Sequence, residues 1–134
     1  MDFKPYGLIP AMVTPTNKDE SLNVPALRKL ANYLIDEGVH GLFPIGTCGE
    51  SYALSDSEIR TVLETVKDEA KGRVPVYGGI NQITTRGAVK MAQMAEEVGV
   101  DAISILTPFF LVPDQEEIYE HYKTIAENTS LPII

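Results

Sequence analysis

One cysteine, two histidines and no tryptophan are all that this 134-residue chain offers to disulfide, metal or broad stacking chemistry. A lone cysteine closes no intramolecular disulfide, which fits a reducing, cytoplasmic compartment. With Cys48, His40 and His121 far apart in sequence, no zinc constellation can be read, and no metal or other cofactor is expected. Positive charge is also scarce. Eleven Lys and Arg stand against nineteen Asp and Glu, for a formal charge of −8. The basic residues are scattered, so no phosphate-tracking patch forms and nucleic acid is not an expected partner. Long hydrophobic runs are missing too: no uncharged stretch nears the roughly 20 apolar residues of a membrane span. The opening "MDFKPYGLIP" lacks the basic region and apolar run of a signal peptide. What remains is ordinary for a globular protein, 44% hydrophobic and 22% charged, and long enough for a single domain over 1–134 with one core.

Short apolar runs recur along the chain, at "LIPAMV" (8–13), "GLFPI" (41–45), "VPVYGG" (74–79), "AISILT" (102–107) and "LPII" (131–134). Runs so short, rich in Ile and Val, suit buried strands. Helical spacing fills the gaps between them. Leu27, Leu30, Ala31, Leu34 and Ile35 share one face, as do Ile59, Val62, Leu63 and Val66, and Ile118, Tyr122, Ile125 and Ala126. Val89, Ala92 and Ala95 give a weaker stripe for a helix over about 85–98. Ser55 with Glu58, and Asp114 with Glu117, have capping-box spacing, and Gly38, Gly72 and Gly99 fall where helices should stop.

The repeat is about 30 residues, one strand–helix unit. Strict alternation argues for a parallel sheet covered by helices, an α/β protein of four βα units with the start of a fifth strand. Two architectures satisfy that pattern. One is half of a (β/α)8 TIM barrel, whose full circle takes roughly 250 residues. The other is a flavodoxin-like open parallel sheet of five strands. Both place functional loops at the C-terminal ends of strands, which singles out "TPT" (14–16), "GTCGE" (46–50) and "TPFFLVP" (107–113).

The "GTCGE" loop has its own chemistry. Gly46 and Gly49 permit positive φ and close backbone approach to a ligand. Successive N–H groups can then form a nest for a carboxylate or other oxyanion, with the Thr47 hydroxyl as an added donor. The competing reading is a plain turn, with glycine for conformation and threonine for a local hydrogen bond. The loop is neither a P-loop nor a GxGxxG turn. Cys48 has no neighbouring base to make it a nucleophile. His40 and His121 read as surface or packing histidines, and Glu50 as a carboxylate that braces the loop by accepting backbone N–H groups.

"GLIPAMVTP" at 7–15, "GTCGES" at 46–51 and "LTPFF" at 106–110 together resemble, in order and spacing, the dihydrodipicolinate synthase / N-acetylneuraminate lyase family. The resemblance covers essentially the whole chain, and the GTxGE motif is its most specific part. It implies a (β/α)8 barrel that assembles as tetramers of tight dimers. It also implies class I aldolase-type lyase chemistry, with pyruvate or another 2-keto acid held as a Schiff base on lysine. By the same resemblance Gly46, Thr47, Cys48 and Gly49 form the substrate cradle. The keto acid's carboxylate meets the Thr47 and Cys48 N–H groups and the Thr47 hydroxyl, and Thr47 relays protons with a tyrosine.

Two positions depart from that pattern. Cys48 replaces the usual Thr or Ser and is a much weaker donor. Phe110 stands where the synthase and the sialate lyase carry a tyrosine that reaches into the neighbouring subunit's site. A phenyl ring carries no proton, which points toward another 2-keto acid, such as a 2-keto-3-deoxy sugar acid; Phe110 is then a site residue or an interface residue. The family's fifth-strand tyrosine and sixth-strand lysine would lie beyond residue 134, so the chain reads as an N-terminal half ending before strands 5–8. Its own lysines do not substitute. Lys29, Lys67, Lys71, Lys90 and Lys123 fall on or beside predicted helices, and Lys4 and Lys18 in loops. Three functions follow as expectations: half of a Schiff-base lyase, inactive alone; a flavodoxin-like module binding carboxylate or phosphate; or a structural half-barrel that self-associates. A half-barrel with open edges is expected to form a homodimer or larger oligomer.

Overall fold

A computed structural model describes residues 4–134; the first three residues of the predicted 1–134 domain, part of the stretch read for a signal peptide, lie outside the described residues. Four helices form where the periodicity placed them: α1 (Val24–Asp36), α2 (Asp56–Ala70), α3 (Thr85–Val98) and α4 (Gln115–Ala126). Both capping boxes close. Ser55 accepts the Glu58 N–H while Glu58 accepts the Ser55 N–H, and Asp114 and Glu117 do the same for α4. The stops at Gly38, Gly72 and Gly99 take left-handed φ of 86°, 73° and 81°.

The strands are shorter than the apolar runs suggested. Two are regular, β1 (Tyr77–Ile80) and β2 (Ala102–Ile105), paired in parallel with Tyr77 opposite Ala102 and Ile80 opposite Ile105. The other three runs are held by single parallel bridges, Ala11–Phe43, Leu42–Val76 and Ile103–Ile133. Proline explains part of this. Pro10, Pro44, Pro75 and Pro132 interrupt four of the five runs, and each removes a backbone donor that a longer ladder needs. Their carbonyls still serve, since Pro10, Pro75 and Pro132 accept the N–H of Phe43, Leu42 and Ile103.

These bridges fix the topology. Each strand position pairs with the next in sequence, first to second, second to third, third to fourth and fourth to fifth. A flavodoxin-like sheet would seat its first strand between the second and third, so that alternative is excluded. The helices agree: α1 packs on α2, α2 on α3 and α3 on α4, a single layer wound one way. The chain is half of a (β/α)8 barrel, as the pattern allowed.

The core lies between that helix layer and the strands. Leu27 and Ala31 of α1, Ile59, Val62, Leu63 and Val66 of α2, and Met91, Ala92 and Ala95 of α3 bury against Leu42, Val76, Ile80 and Ile103. Gly78 faces this layer, since a Cβ there would touch Leu63, Val100 and Ala95 at 3.5–3.7 Å. Among the described residues, no helix is long and apolar enough to cross a membrane.

Candidate functional site at the C-terminal ends of the strands

Parallel strands gather the loops that follow them at one end of the sheet. There the 46–50 segment does not pass straight from strand to helix. It makes two short 3-10 turns, Thr47–Gly49 and Ser51–Ala53, before α2 begins. The first closes on the Gly49 N–H, which bonds the Gly46 carbonyl at 3.0 Å. The Thr47 and Cys48 amides precede that bond, and no side chain caps the turn. Both residues are exposed, whereas Gly46 and Gly49 are buried.

The glycines act differently from expectation. Neither takes positive φ: Gly46 has φ −78°, and the left-handed residues are Ile45 (62°) and Glu50 (53°) on either side of the motif. Gly49 is small because the first strand's loop presses on it. A Cβ there would meet the Met12 carbonyl oxygen at 3.1 Å and Thr14 Oγ1 at 3.3 Å. The Thr14 hydroxyl donates to the Gly49 carbonyl at 2.7 Å, which makes the 14–16 loop a brace for the 46–50 loop.

The expected bracing by Glu50 is not found. Its carboxylate takes part in no hydrogen bond among the described residues and lines a pocket with Thr14, Thr16, Glu20 and Glu58. The two further carboxylates, Glu20 and Glu58, do not make this a metal site: among the described residues, no group of three or more His, Cys, Asp or Glu is placed to hold an ion. The brace from the other side is Asn81, immediately after β1. Its Nδ2 donates to the Ile45 carbonyl at 3.1 Å and to Ser51 Oγ at 3.0 Å. Asn81, Ser51 and Gly79 were missed in the sequence. The rule that strand C-terminal ends carry function applies equally to "INQITT", and that was the available signal.

Phe110 stands open to solvent. It is 91% exposed with φ 82°, beside exposed Leu111 and Val112. Phe109 instead shares a pocket with Ser51, Tyr52 and Asn81. Three of the lysines are held in ion pairs. Lys67 is paired with Asp101 at 2.7 Å, and the same carboxylate oxygen takes the Val76 N–H, at the opposite, N-terminal end of the strands. Lys90 pairs with Asp56 at 2.7 Å, and Lys123 with Glu120 at 3.5 Å. The histidines pack. His40 Nδ1 accepts the Leu8 N–H at 3.1 Å against the Tyr6 ring, and His121 is buried between α4 and the start of α3. Cys48 is free and exposed.

Comparison with known proteins agrees with this geometry. The 4-hydroxy-tetrahydrodipicolinate synthase of Nitrobacter hamburgensis is 47% identical over 128 residues, which cover 96% of this chain and 43% of that protein. The protein of the same name from Methanopyrus kandleri is 43% identical over 135 residues, 100% of this chain and 45% of its own. The crystal structure of the chloride-inhibited dihydrodipicolinate synthase from Acinetobacter baumannii, complexed with pyruvate, superposes with a TM-score of 0.93 at 36% identity, covering 95% of this chain and 44% of that one. The chain thus spans less than half the length of the relatives it matches. Residues 4–134 match the dihydrodipicolinate synthetase family, and the chain belongs to that family.

Proposed function

We propose that this chain supplies the carboxylate-binding half of a Schiff-base lyase site for pyruvate or another 2-keto acid. The observation that carries the reading is the exposed 3-10 turn at Thr47–Gly49, uncapped and braced from two sides, with the Thr47 and Cys48 amides leading it. A carboxylate seated there takes both N–H groups, and the Thr47 hydroxyl adds a third donor; hydrogen bonds to a charged acceptor are the stronger kind. The Thr47 hydroxyl, standing beside the keto group, also moves a proton during turnover. Cys48 contributes its amide and little more, since a thiol is a weak donor. Glu50 is the left-handed residue between the two turns. The amine that forms the imine comes from a residue outside these 134, because the lysines at hand serve helices and surface ion pairs. No metal or organic cofactor enters this scheme, and the compartment is the cytoplasm.

Pyruvate is the favoured ligand, because the similar proteins named above are synthases and one was crystallised with pyruvate. Phe110 carries a second reading for the substrate. With no phenol at that position, an aldolase for a longer 2-keto acid, which needs no relay there, fits the residue better. Ligand-observed NMR with pyruvate should show weak, millimolar binding, because little ligand surface is buried in an open half-site. Acetone, which lacks the carboxylate, should give no response; equal responses would refute a carboxylate cradle. Borohydride added with pyruvate should leave the mass of the chain unchanged, and a reduced adduct on any lysine would overturn the division of labour.

A further inference from the structure

Three observations meet at the Ile45 carbonyl. Ile45 holds φ at 62°, a region β-branched residues rarely enter and keep only where their surroundings over-determine it. That conformation turns its carbonyl toward the neighbouring strand, where Gly79 leaves room. A Cβ at Gly79 would stand 2.1 Å from the Ile45 oxygen and 3.0 Å from the Gly46 nitrogen. Two residues on, Asn81 Nδ2 donates to that same carbonyl at 3.1 Å and to Ser51 Oγ at 3.0 Å. Ile45 precedes the 46–50 loop and Ser51 follows it. Among the contacts that brace the loop, the Thr14 hydroxyl holds Gly49 within it, while Asn81 alone spans its entry and its exit.

We propose that Asn81 is a positioning residue for the anion cradle, fixing the direction of the Thr47 and Cys48 amides by holding Ile45 in its left-handed conformation. This rests on the keto-acid reading above. The side chain touches no substrate in this scheme. It sets the peptide that enters the turn, and the turn then presents the amides. Two donors on one amide group meet two acceptors from opposite ends of one loop, an arrangement that an aliphatic residue of equal size does not reproduce. A carboxylate in its place could accept from Ser51 but would repel the Ile45 carbonyl.

That difference makes the test. Asn81→Ala and Asn81→Asp are made in the 134-residue chain and compared with the unaltered chain by amide hydrogen exchange and by pyruvate titration. At neutral pH both variants should exchange the Gly49 and Glu50 amides about tenfold faster and bind pyruvate about tenfold more weakly, the scale of one lost positioning hydrogen bond. Protection in α1–α4 should not change. On acidification the carboxyl introduced by Asn81→Asp regains a proton to donate to the Ile45 carbonyl. Loop protection should return in that variant and not in Asn81→Ala, a pH profile that space-filling alone does not produce. Unchanged loop exchange in both variants would overturn the proposal. So would full protection of Asn81→Asp at neutral pH. Loss of helix protection in both variants would overturn it too, because Asn81 would then hold the fold rather than the loop. If the unaltered chain gives no pyruvate response, the keto-acid reading fails, and loop exchange in the variants still decides the positioning role.

Discussion

His121 shows how one buried side chain sets a condition on the whole fold. Its Nδ1 lies 2.9 Å from the Thr85 hydroxyl, and its Nε2 is buried with no hydrogen-bond partner among the described residues. Burial disfavours the imidazolium, so folding lowers the His121 pKa below its ordinary value. The sign of the consequence follows. Above about pH 6.5 the ring is neutral in both states and its contribution to stability is complete. As pH falls through that value the unfolded chain takes the proton first, and stability declines until the folded state titrates as well. Glu117 and Glu120 line the same groove, yet neither is bonded to the ring. Urea midpoints should therefore drop between about pH 7 and about pH 5, and His121→Gln should flatten that part of the slope. A variant with the same slope as the parent would remove His121 from the account.

At the scale of elements, local chemistry decided most of what forms. The α2 start is closed by Ser55 and Glu58, with the Ser55 N–H donating to the Glu58 carboxylate at 2.8 Å. Ser55→Ala should cost about 1 kcal/mol, read as a lower urea midpoint with an unchanged slope. An unchanged midpoint would mean that packing of Ile59, Val62 and Leu63 alone sets the helix start. The four helices were legible because their apolar stripes and caps lie within a few residues of one another. The strands were legible as positions but not as lengths, in part because prolines in four of the five runs remove ladder donors. Barrel and open sheet could not be told apart by periodicity, since both repeat the same unit; only the bridge order from Ala11–Phe43 to Ile103–Ile133 decides between them. The "GTCGE" loop was legible as a turn at a functional end. Its braces were not, because the contacts from Thr14 to Gly49 and from Asn81 to Ile45 and Ser51 join segments more than 29 residues apart. The left-handed residues were misplaced for a related reason: Ile45 takes its conformation from the Asn81 contact and from the space at Gly79, neither visible in its local sequence.

On the scale of the whole molecule, the open edges and the exposed apolar loop govern behaviour. Among the described residues, the first and fifth strand positions each pair on one side only, and an unpaired strand edge can pair with another strand. Phe110, Leu111 and Val112 are 91%, 77% and 98% exposed, a cluster that association would cover. The chain is therefore expected to run as a homodimer or larger species in size exclusion with light scattering, and a stable monomer near 14.7 kDa would contradict this. The central claim remains that the Thr47–Gly49 turn is a carboxylate cradle. An amide-resolved NMR titration of the chain with pyruvate tests it most directly. The account predicts progressive shifts at millimolar pyruvate centred on the Thr47 and Cys48 amides, with the α1–α4 amides unmoved. A titration that leaves residues 46–50 unshifted, or that moves some other loop instead, would contradict it.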